Sequence, residues 1–281
     1  MARQKLGQHF LSDAGWREKI ARSIGVSAHS IAGGKATDTD SVWIEIGAGH
    51  GEMTRHLLQT GADVIAIELD PKLAVRLQDL AAESQRLTVV GADVLQTDLA
   101  TLAQGRRMRV YGNLPYYITS PILHHLFGFA DQIDEIHIVI QLEVAFRLVA
   151  RPGTRDYGYL SVLTRYFSRP ALGMKIPRGA FRPPPEVGSA LVSLRLPGER
   201  GKLPLHDQRR FLDFVKLCFA QKRKTLVNNL RTVAELQQLR AALEAESLRI
   251  DIRAEQLSVG QLATIFEVVG PPSTRTNWKT S

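Results

Sequence analysis

The sequence predicts an α/β domain with a mostly parallel sheet and helices on both faces, followed by a small all-helical domain. Three observations carry this. Short Val- and Ile-rich runs alternate with helix-starting signals between Val42 and Ala150. A glycine cluster follows the first of those runs. Beyond Pro197 the apolar spacing turns helical, and no strand candidate stands out.

Val42–Ile46 reads as the first strand and ends in Gly47-Ala48-Gly49-His50-Gly51, with a helix through about Leu58. Val64–Ile67 is a second buried strand. Asp70-Pro71 then opens a helix with an acidic cap and a proline at the first helical position. Leu87–Val90 and Met108–Tyr111 are the third and fourth strands. Ser120-Pro121 repeats the cap-plus-proline start for a helix through Phe127. Glu135–Ile140 is a fifth strand, and an amphipathic helix covers Glu143–Ala150. Gly33–Ser41 reads as an exposed loop and Pro197-Gly198-Glu199-Arg200-Gly201 as a domain linker. Helical patterns then cover His206–Ala220, Lys224–Leu230, Val233–Leu248 and Ser258–Val269. The expected domains are residues 1–197 and 202–270, with 271–281 as a flexible tail.

The chain's 281 residues suffice for one sizeable α/β domain and an accessory domain. No apolar run reaches the length of a membrane span, and no apolar region follows the basic start, so a secretory signal is not expected. The single cysteine, Cys218, lies on a helical apolar face, which excludes an internal disulfide and points to burial. A reducing cytoplasm is the expected compartment. The net charge of +8 suggests a polyanionic partner. From Pro197 onward there are 14 Lys and Arg against 9 Asp and Glu, and Arg165 to Arg182 holds five basic residues and no acid.

The glycine cluster is G-x-G-x-G, a tight turn after a buried strand that lets a ligand approach the backbone. Glu45, two residues before Gly47, suits a ligand carrying an ammonium and a sulfonium better than a pyrophosphate. Glu68, 21 residues after Gly47, ends the second strand, where an acid binds ribose hydroxyls. Asp93 follows the third strand, placed to accept from an adenine amino group. With Asn113-Leu114-Pro115-Tyr116 after the fourth, these features occupy the carboxyl ends of four successive strands, which form one crevice in an open sheet. Their order and spacing point to S-adenosylmethionine as cofactor. No P-loop is present, and the eight histidines show no zinc spacing, so no metal is expected.

Asn113-Leu114-Pro115-Tyr116 suits alkylation of a weakly nucleophilic amine. The exocyclic nitrogen of adenine shares its lone pair with the ring and attacks carbon only when that pair leaves conjugation. The Asn113 amide oxygen and the Leu114 carbonyl can accept its two N–H groups and favour the tetrahedral nitrogen of the transition state. Tyr116 offers a flat face for the base. Phe181, stiffened by Pro183-Pro184-Pro185, is the expected second face of a pocket for an extruded base.

With these motifs assembled, the chain resembles the ribosomal RNA adenine dimethyltransferases. The resemblance runs from Arg3 to about Val269, through Gln4–Leu11, Ile46–Gly51, Ile67–Asp70, Gly91–Asp93, Asn113–Tyr116, Gln141–Ala145, Tyr157–Val162, Phe181–Pro185 and Phe219–Leu226. It implies a Rossmann-like S-adenosylmethionine-dependent methyltransferase domain with a small all-helical C-terminal domain. It also implies transfer of four methyl groups to two adjacent adenosines near the 3′ end of 16S rRNA in the 30S subunit. The implied cofactor contacts are His9, Leu11, Gly47, Glu68, Asp93 and Asn113. His9 and Leu11 rest on the resemblance, since their own surroundings read as an N-terminal cap. Three departures stand out: Ala48 where a proline is common, Leu142 where lysine is usual, and Gly188 where aspartate is usual.

The expected mechanism is direct in-line displacement with no covalent enzyme intermediate and no assigned general base. Lys222, Arg223, Lys224 and the basic 165–182 stretch are expected to touch RNA phosphates. A monomer acting away from membranes is expected. Two rivals stand beside this: an N6-adenine enzyme for DNA or large-subunit rRNA, and a non-catalytic ribosome-assembly or transcription factor that retains the fold.

Overall fold

The computed structural model describes residues 9–26, 41–203, 205 and 207–269. Gly33–Asp40 and the tail 271–281 lie outside the described residues; Ser41, assigned above to the loop, is buried and opens a strand.

The strands are β1 Phe10–Leu11, β2 Ser41–Ile46, β3 Asp63–Ile67, β4 Leu87–Val90, β5 Arg107–Asn113, β6 Ile133–Gln141, β7 Arg169–Ile176, β8 Phe181–Arg182 and β9 Ser189–Arg195. Seven form one sheet in the order β4-β3-β2-β5-β6-β9-β7. The first five run parallel, so the carboxyl ends of β2, β3, β4 and β5 share one edge. β2 is buried along its whole length, Ser41 and Glu45 included, as a central parallel strand covered on both faces should be. β9 lies antiparallel to β6.

β7 and β9 complete the sheet where the sequence reading assigns no element. β7 alternates exposed and half-buried residues around Pro170 and Gly173, an edge pattern without the apolar run that marks the inner strands. β1 and β8 form a separate antiparallel pair with Phe10 opposite Arg182 and Leu11 opposite Phe181.

The Asp70 cap is formed as expected, its carboxylate accepting from the Lys72 N–H at 2.8 Å. The cap expected at Ser120 is not. A single 3-10 turn, Tyr116–Ile118, runs straight into helix Thr119–Phe127, so Ser120 lies inside the first helical turn. Pro121 is tolerated there because the first-turn N–H groups have no helical partner.

The described residues divide into two compact units. One comprises the chain up to Ala145 together with Pro170–Leu196; the other comprises Phe146–Arg169 and the residues from Pro197 onward. The boundary near 197 is therefore one of three crossings, and the second unit includes a segment assigned above to the first. The reason is apolar cover. Tyr157 and Tyr166 are buried in the helical unit, where the Tyr157 hydroxyl donates to the Leu257 carbonyl at 2.9 Å. Tyr166 meets Phe211 with ring centroids 5.2 Å apart. The unit's helices are Tyr159–Phe167, Gln208–Cys218, Leu226–Leu230, Leu236–Ala245 and Val259–Val269. Cys218 is buried among them, and burial raises its thiol.

The expected linker is a docked turn. The Gly198 N–H donates to the Phe167 carbonyl at 2.9 Å, and a 3-10 turn follows over Glu199–Lys202. Only glycine fits there, because a Cβ would stand 2.3 Å from the Ser168 nitrogen and 2.4 Å from the Arg165 carbonyl.

Candidate active site

The shared edge of β2, β3 and β5 carries two adjoining hollows. The first, about 450 Å³, is lined by His9, Phe10, Gly47, Glu68 and Asn113–Tyr116. The second, about 340 Å³, shares Phe10, Gly47 and Asn113 and adds Leu11, Arg17, Glu45, Gly49 and Tyr111 among its walls.

The glycine loop shapes both. Gly47 and Gly49 have φ of +69° and +59°, a region L side chains rarely adopt, and a Cβ on Gly49 would press on the Phe10 ring at 3.2 Å. Glu68 is buried at the end of β3. Its two oxygens accept from the Gly49 N–H at 2.9 Å and the Asp70 N–H at 2.8 Å. Each oxygen keeps a lone pair for a further donor, which suits a diol.

Glu45 is buried in the second hollow, and burial pushes its carboxyl up to about 8, with Glu68 and Glu52 adding to the shift. The Thr54 hydroxyl donates to it at 2.5 Å and opposes the shift. A cation entering this hollow would favour the ionised form. Tyr111, beside Glu45 in the parallel register, has a buried hydroxyl with no hydrogen-bond partner among the described residues. Orphaned polar atoms of this kind are costly unless something fills the hollow.

The Glu45 shift sets a pH dependence. Its folded pKa lies above the usual 4.5, so its stabilising contribution is complete below that pH and is lost as pH rises through about 8. Glu45→Gln keeps an acceptor for Thr54 and removes the titration. The melting temperature of the variant relative to the parent should therefore rise between pH 5 and pH 8.5, as thermal scans across that range can check; a constant difference would contradict the assignment.

Asn113 closes β5. Its amide nitrogen donates to the His9 carbonyl at 2.8 Å, which fixes the flip of the amide and leaves Oδ1 as the acceptor. Leu114 is buried and its N–H donates to the Val139 carbonyl at 3.0 Å, anchoring the turn to β6. Gly112 makes room for that turn, since a Cβ there would stand 2.7 Å from the Leu114 side chain. Tyr116 is half-buried, its hydroxyl 2.6 Å from the Ser189 hydroxyl.

His9, Leu11, Gly47, Glu68, Asn113, Leu114 and Tyr116 thus line these hollows. Asp93 does not; it caps the 3-10 turn Val94–Gln96, accepting from the Leu95 N–H at 3.0 Å. Phe181 does not line them either: it is 1% exposed, paired with Leu11 and part of one buried cluster with Ile176, Val139 and Leu191. Lys222 is exposed, and its ammonium donates to the Arg155 carbonyl and sits 3.6 Å from Glu255. Arg223 and Lys224 lie exposed in the turn before helix Leu226–Leu230.

The sequence reading missed Arg17, Tyr111 and Ser189. Tyr111 had a signal, since it lies two residues before Asn113 and so on the same face of β5. Ser189 had none, being distant in sequence from Tyr116. Among the described residues no cluster of His, Cys, Asp or Glu is arranged to hold a metal ion, and no helix is long and apolar enough to cross a membrane.

Residues 1–270 match the family profile described as ribosomal RNA adenine dimethylase. The chain is 43% identical over 228 residues to the ribosomal RNA small subunit methyltransferase A of Acidobacterium capsulatum, covering 81% of this chain and 76% of that one. It is 38% identical over 234 residues to the protein of the same name from Xanthomonas euvesicatoria, covering 83% and 85%. Its fold matches a dimethyladenosine transferase from Plasmodium falciparum with a TM-score of 0.74 at 21% identity, covering 94% and 99% of the two chains. It also matches the 23S rRNA methyltransferase ErmE with a TM-score of 0.64 at 26% identity, covering 92% and 99%.

Proposed function

The chain belongs to the ribosomal RNA adenine dimethylase family, and from that premise we propose that it dimethylates the N6 amines of two adjacent adenosines in the hairpin near the 3′ end of 16S rRNA. The substrate would be presented within the 30S subunit, and S-adenosylmethionine would be the methyl donor. When bound, that cofactor supplies a methyl group on a sulfonium, an already activated leaving group that needs no metal.

The observation that carries this reading is the orientation of Asn113 in a hollow shared with Glu68. With Nδ2 committed to the His9 carbonyl, Oδ1 and the Leu114 carbonyl are the acceptors available to an entering amine. Two fixed acceptors draw the nitrogen lone pair out of the ring and favour the charge that develops there, without reorganisation during the reaction. Tyr116, its ring fixed through Ser189, supplies a stacking face. On the cofactor side, Glu68 would take the ribose hydroxyls, and Glu45 with the Gly47 loop would face the amino-acid end. Leu11 and His9 line the same walls. Asp93, at the end of β4, keeps one carboxylate oxygen beyond its cap for an adenine amino group.

The helical unit would dock RNA through Arg223 and Lys224, helped by the basic residues between Arg165 and Arg182. Such phosphate contacts position without reading sequence. A monomer acting in the cytoplasm is consistent with this scheme.

The deciding measurement is mass spectrometry of rRNA nucleosides after incubation with unmethylated small subunits and labelled cofactor. Dimethyladenosine in small subunits, and none in large subunits or duplex DNA, is expected. Label found only in large subunits or DNA would replace the proposed substrate, and none anywhere would favour a non-catalytic role.

Glu68→Ala should act on cofactor affinity. It removes a charged acceptor whose hydrogen bonds to the diol would contribute about 1.5–3 kcal/mol each. The cofactor Kd should rise at least about 30-fold by that arithmetic, read by calorimetry; an unchanged Kd would exclude Glu68 from the cofactor site.

A further inference from the structure

The amino-acid end of S-adenosylmethionine would bring two opposite charges into the second hollow, an α-ammonium and an α-carboxylate. Glu45 and Glu52 line that hollow and suit the ammonium. The same two acids would repel the carboxylate, which calls for a cation on another wall. Arg17 is the single cation among the residues that line the hollow.

Arg17 is held there from both ends. Its backbone lies in the helix Ala14–Ser23, which Asp13 caps by accepting from the Trp16 N–H at 2.9 Å. At the far end of the side chain, Nη1 donates to the Leu11 carbonyl at 3.0 Å, and Leu11 is itself a wall of the hollow. A guanidinium carries five N–H donors in one plane, so most remain after that bond. The nearest acid along the helix, Glu18, is engaged by Arg22 at 3.4 Å and by His56 at 3.8 Å. Arg17 is half-buried and forms no ion pair with any described residue, Glu45 and Glu52 included. A guanidinium and two carboxyls that share a hollow without pairing suit a ligand that carries both charges. An α-amino acid is such a ligand, with ammonium and carboxylate on one carbon.

We propose that Arg17 holds the α-carboxylate of S-adenosylmethionine, opposite the acids that face its ammonium. This rests on the S-adenosylmethionine reading above and adds to it a side chain that selects the cofactor by the charge of its amino-acid end. It gives the hollow a means of preferring a zwitterion over a plain amine of similar size.

The test compares the parent, Arg17→Met and Arg17→Lys in the full chain by calorimetry. Each is titrated with S-adenosylmethionine and with its decarboxylated form, which keeps the adenine, ribose, sulfonium and amine. A charge-assisted hydrogen bond at a half-buried group corresponds to about tenfold in affinity. The parent should therefore prefer the carboxylated ligand by about tenfold or more. In Arg17→Met the Kd for S-adenosylmethionine should rise by about that factor, while the Kd for the decarboxylated form changes less than about threefold. Arg17→Lys keeps the charge without the planar fork and should fall between the two.

The proposal is overturned if Arg17→Met keeps the parent's preference, or if Arg17→Lys binds S-adenosylmethionine more weakly than Arg17→Met. It is also overturned if both ligands weaken together, since that outcome assigns Arg17 to propping the Leu11 carbonyl alone. A parent that binds neither ligand would sink the S-adenosylmethionine reading itself. That result is separable from a parent that binds both equally, which removes only the role of Arg17.

Discussion

Asn113→Ala is expected to lower turnover about 10²- to 10³-fold at saturating cofactor, the range found when a single preorganised group is removed from developing charge. The effect should fall on kcat. The Asn113 oxygen contributes most when the amine nitrogen becomes tetrahedral, whereas Glu68 acts on cofactor binding before that point. Loss of the amide nitrogen also frees the His9 carbonyl, so some rise in the KM for RNA should accompany the change. Asn113→Asp separates the two contributions. It keeps an oxygen acceptor but sets a carboxylate against the His9 carbonyl, which should disorder the first turn of the site without removing an acceptor. Single-turnover rates with saturating small subunits measure the chemical step directly. Intact turnover in Asn113→Ala, with the defect confined to cofactor affinity, would overturn the assignment of Asn113 to the reacting amine.

Gly198→Ala should destabilise the helical unit by more than about 3 kcal/mol, beyond the usual 1–3 kcal/mol of overpacking. The added carbon would meet the Ser168 nitrogen at 2.3 Å, the Arg165 carbonyl at 2.4 Å and the Ser168 carbonyl at 2.6 Å. All three are backbone atoms at a helix end, so no side chain can swing aside. Relief requires lifting the turn and breaking the hydrogen bond from Gly198 to Phe167. Gly201→Ala is the matched control, because its Cβ meets only Pro197 carbons at 3.5 and 3.7 Å, ordinary contact distances. Urea midpoints of the two variants should differ sharply. Equal midpoints would mean that the turn yields freely.

The parts of the site that were legible are those whose chemistry is local in sequence. A glycine turn after a buried strand, an acid ending the next strand, and an Asn-Leu-Pro-Tyr turn each name their own geometry, and parallel topology brings them together. The burial of Phe181 was not legible, because its position in the chain says nothing about which side of a strand it occupies, and pairing with Leu11 turns it into the core. His9 was reachable only through family resemblance, since its role depends on Pro183 and Asn113, both more than a hundred residues away. Lys222 shows the same limit in the helical unit, where its contacts with Arg155 and Glu255 cannot be read from the basic run itself. The edge strand β7 was hidden by its alternation, and the segment 146–169 by the assumption that one linker means one boundary.

That threefold crossing between units has a bearing on biosynthesis. When Leu196 has been added to a growing polypeptide, every strand of the sheet exists, yet Tyr157 and Tyr166 still await Leu257 and Phe211. Until translation reaches them, a greasy internal segment is tethered at both ends to a finished sheet. Premature termination just past that sheet would therefore release a sticky product, a natural client for chaperones or proteases, in place of a free-standing catalytic half.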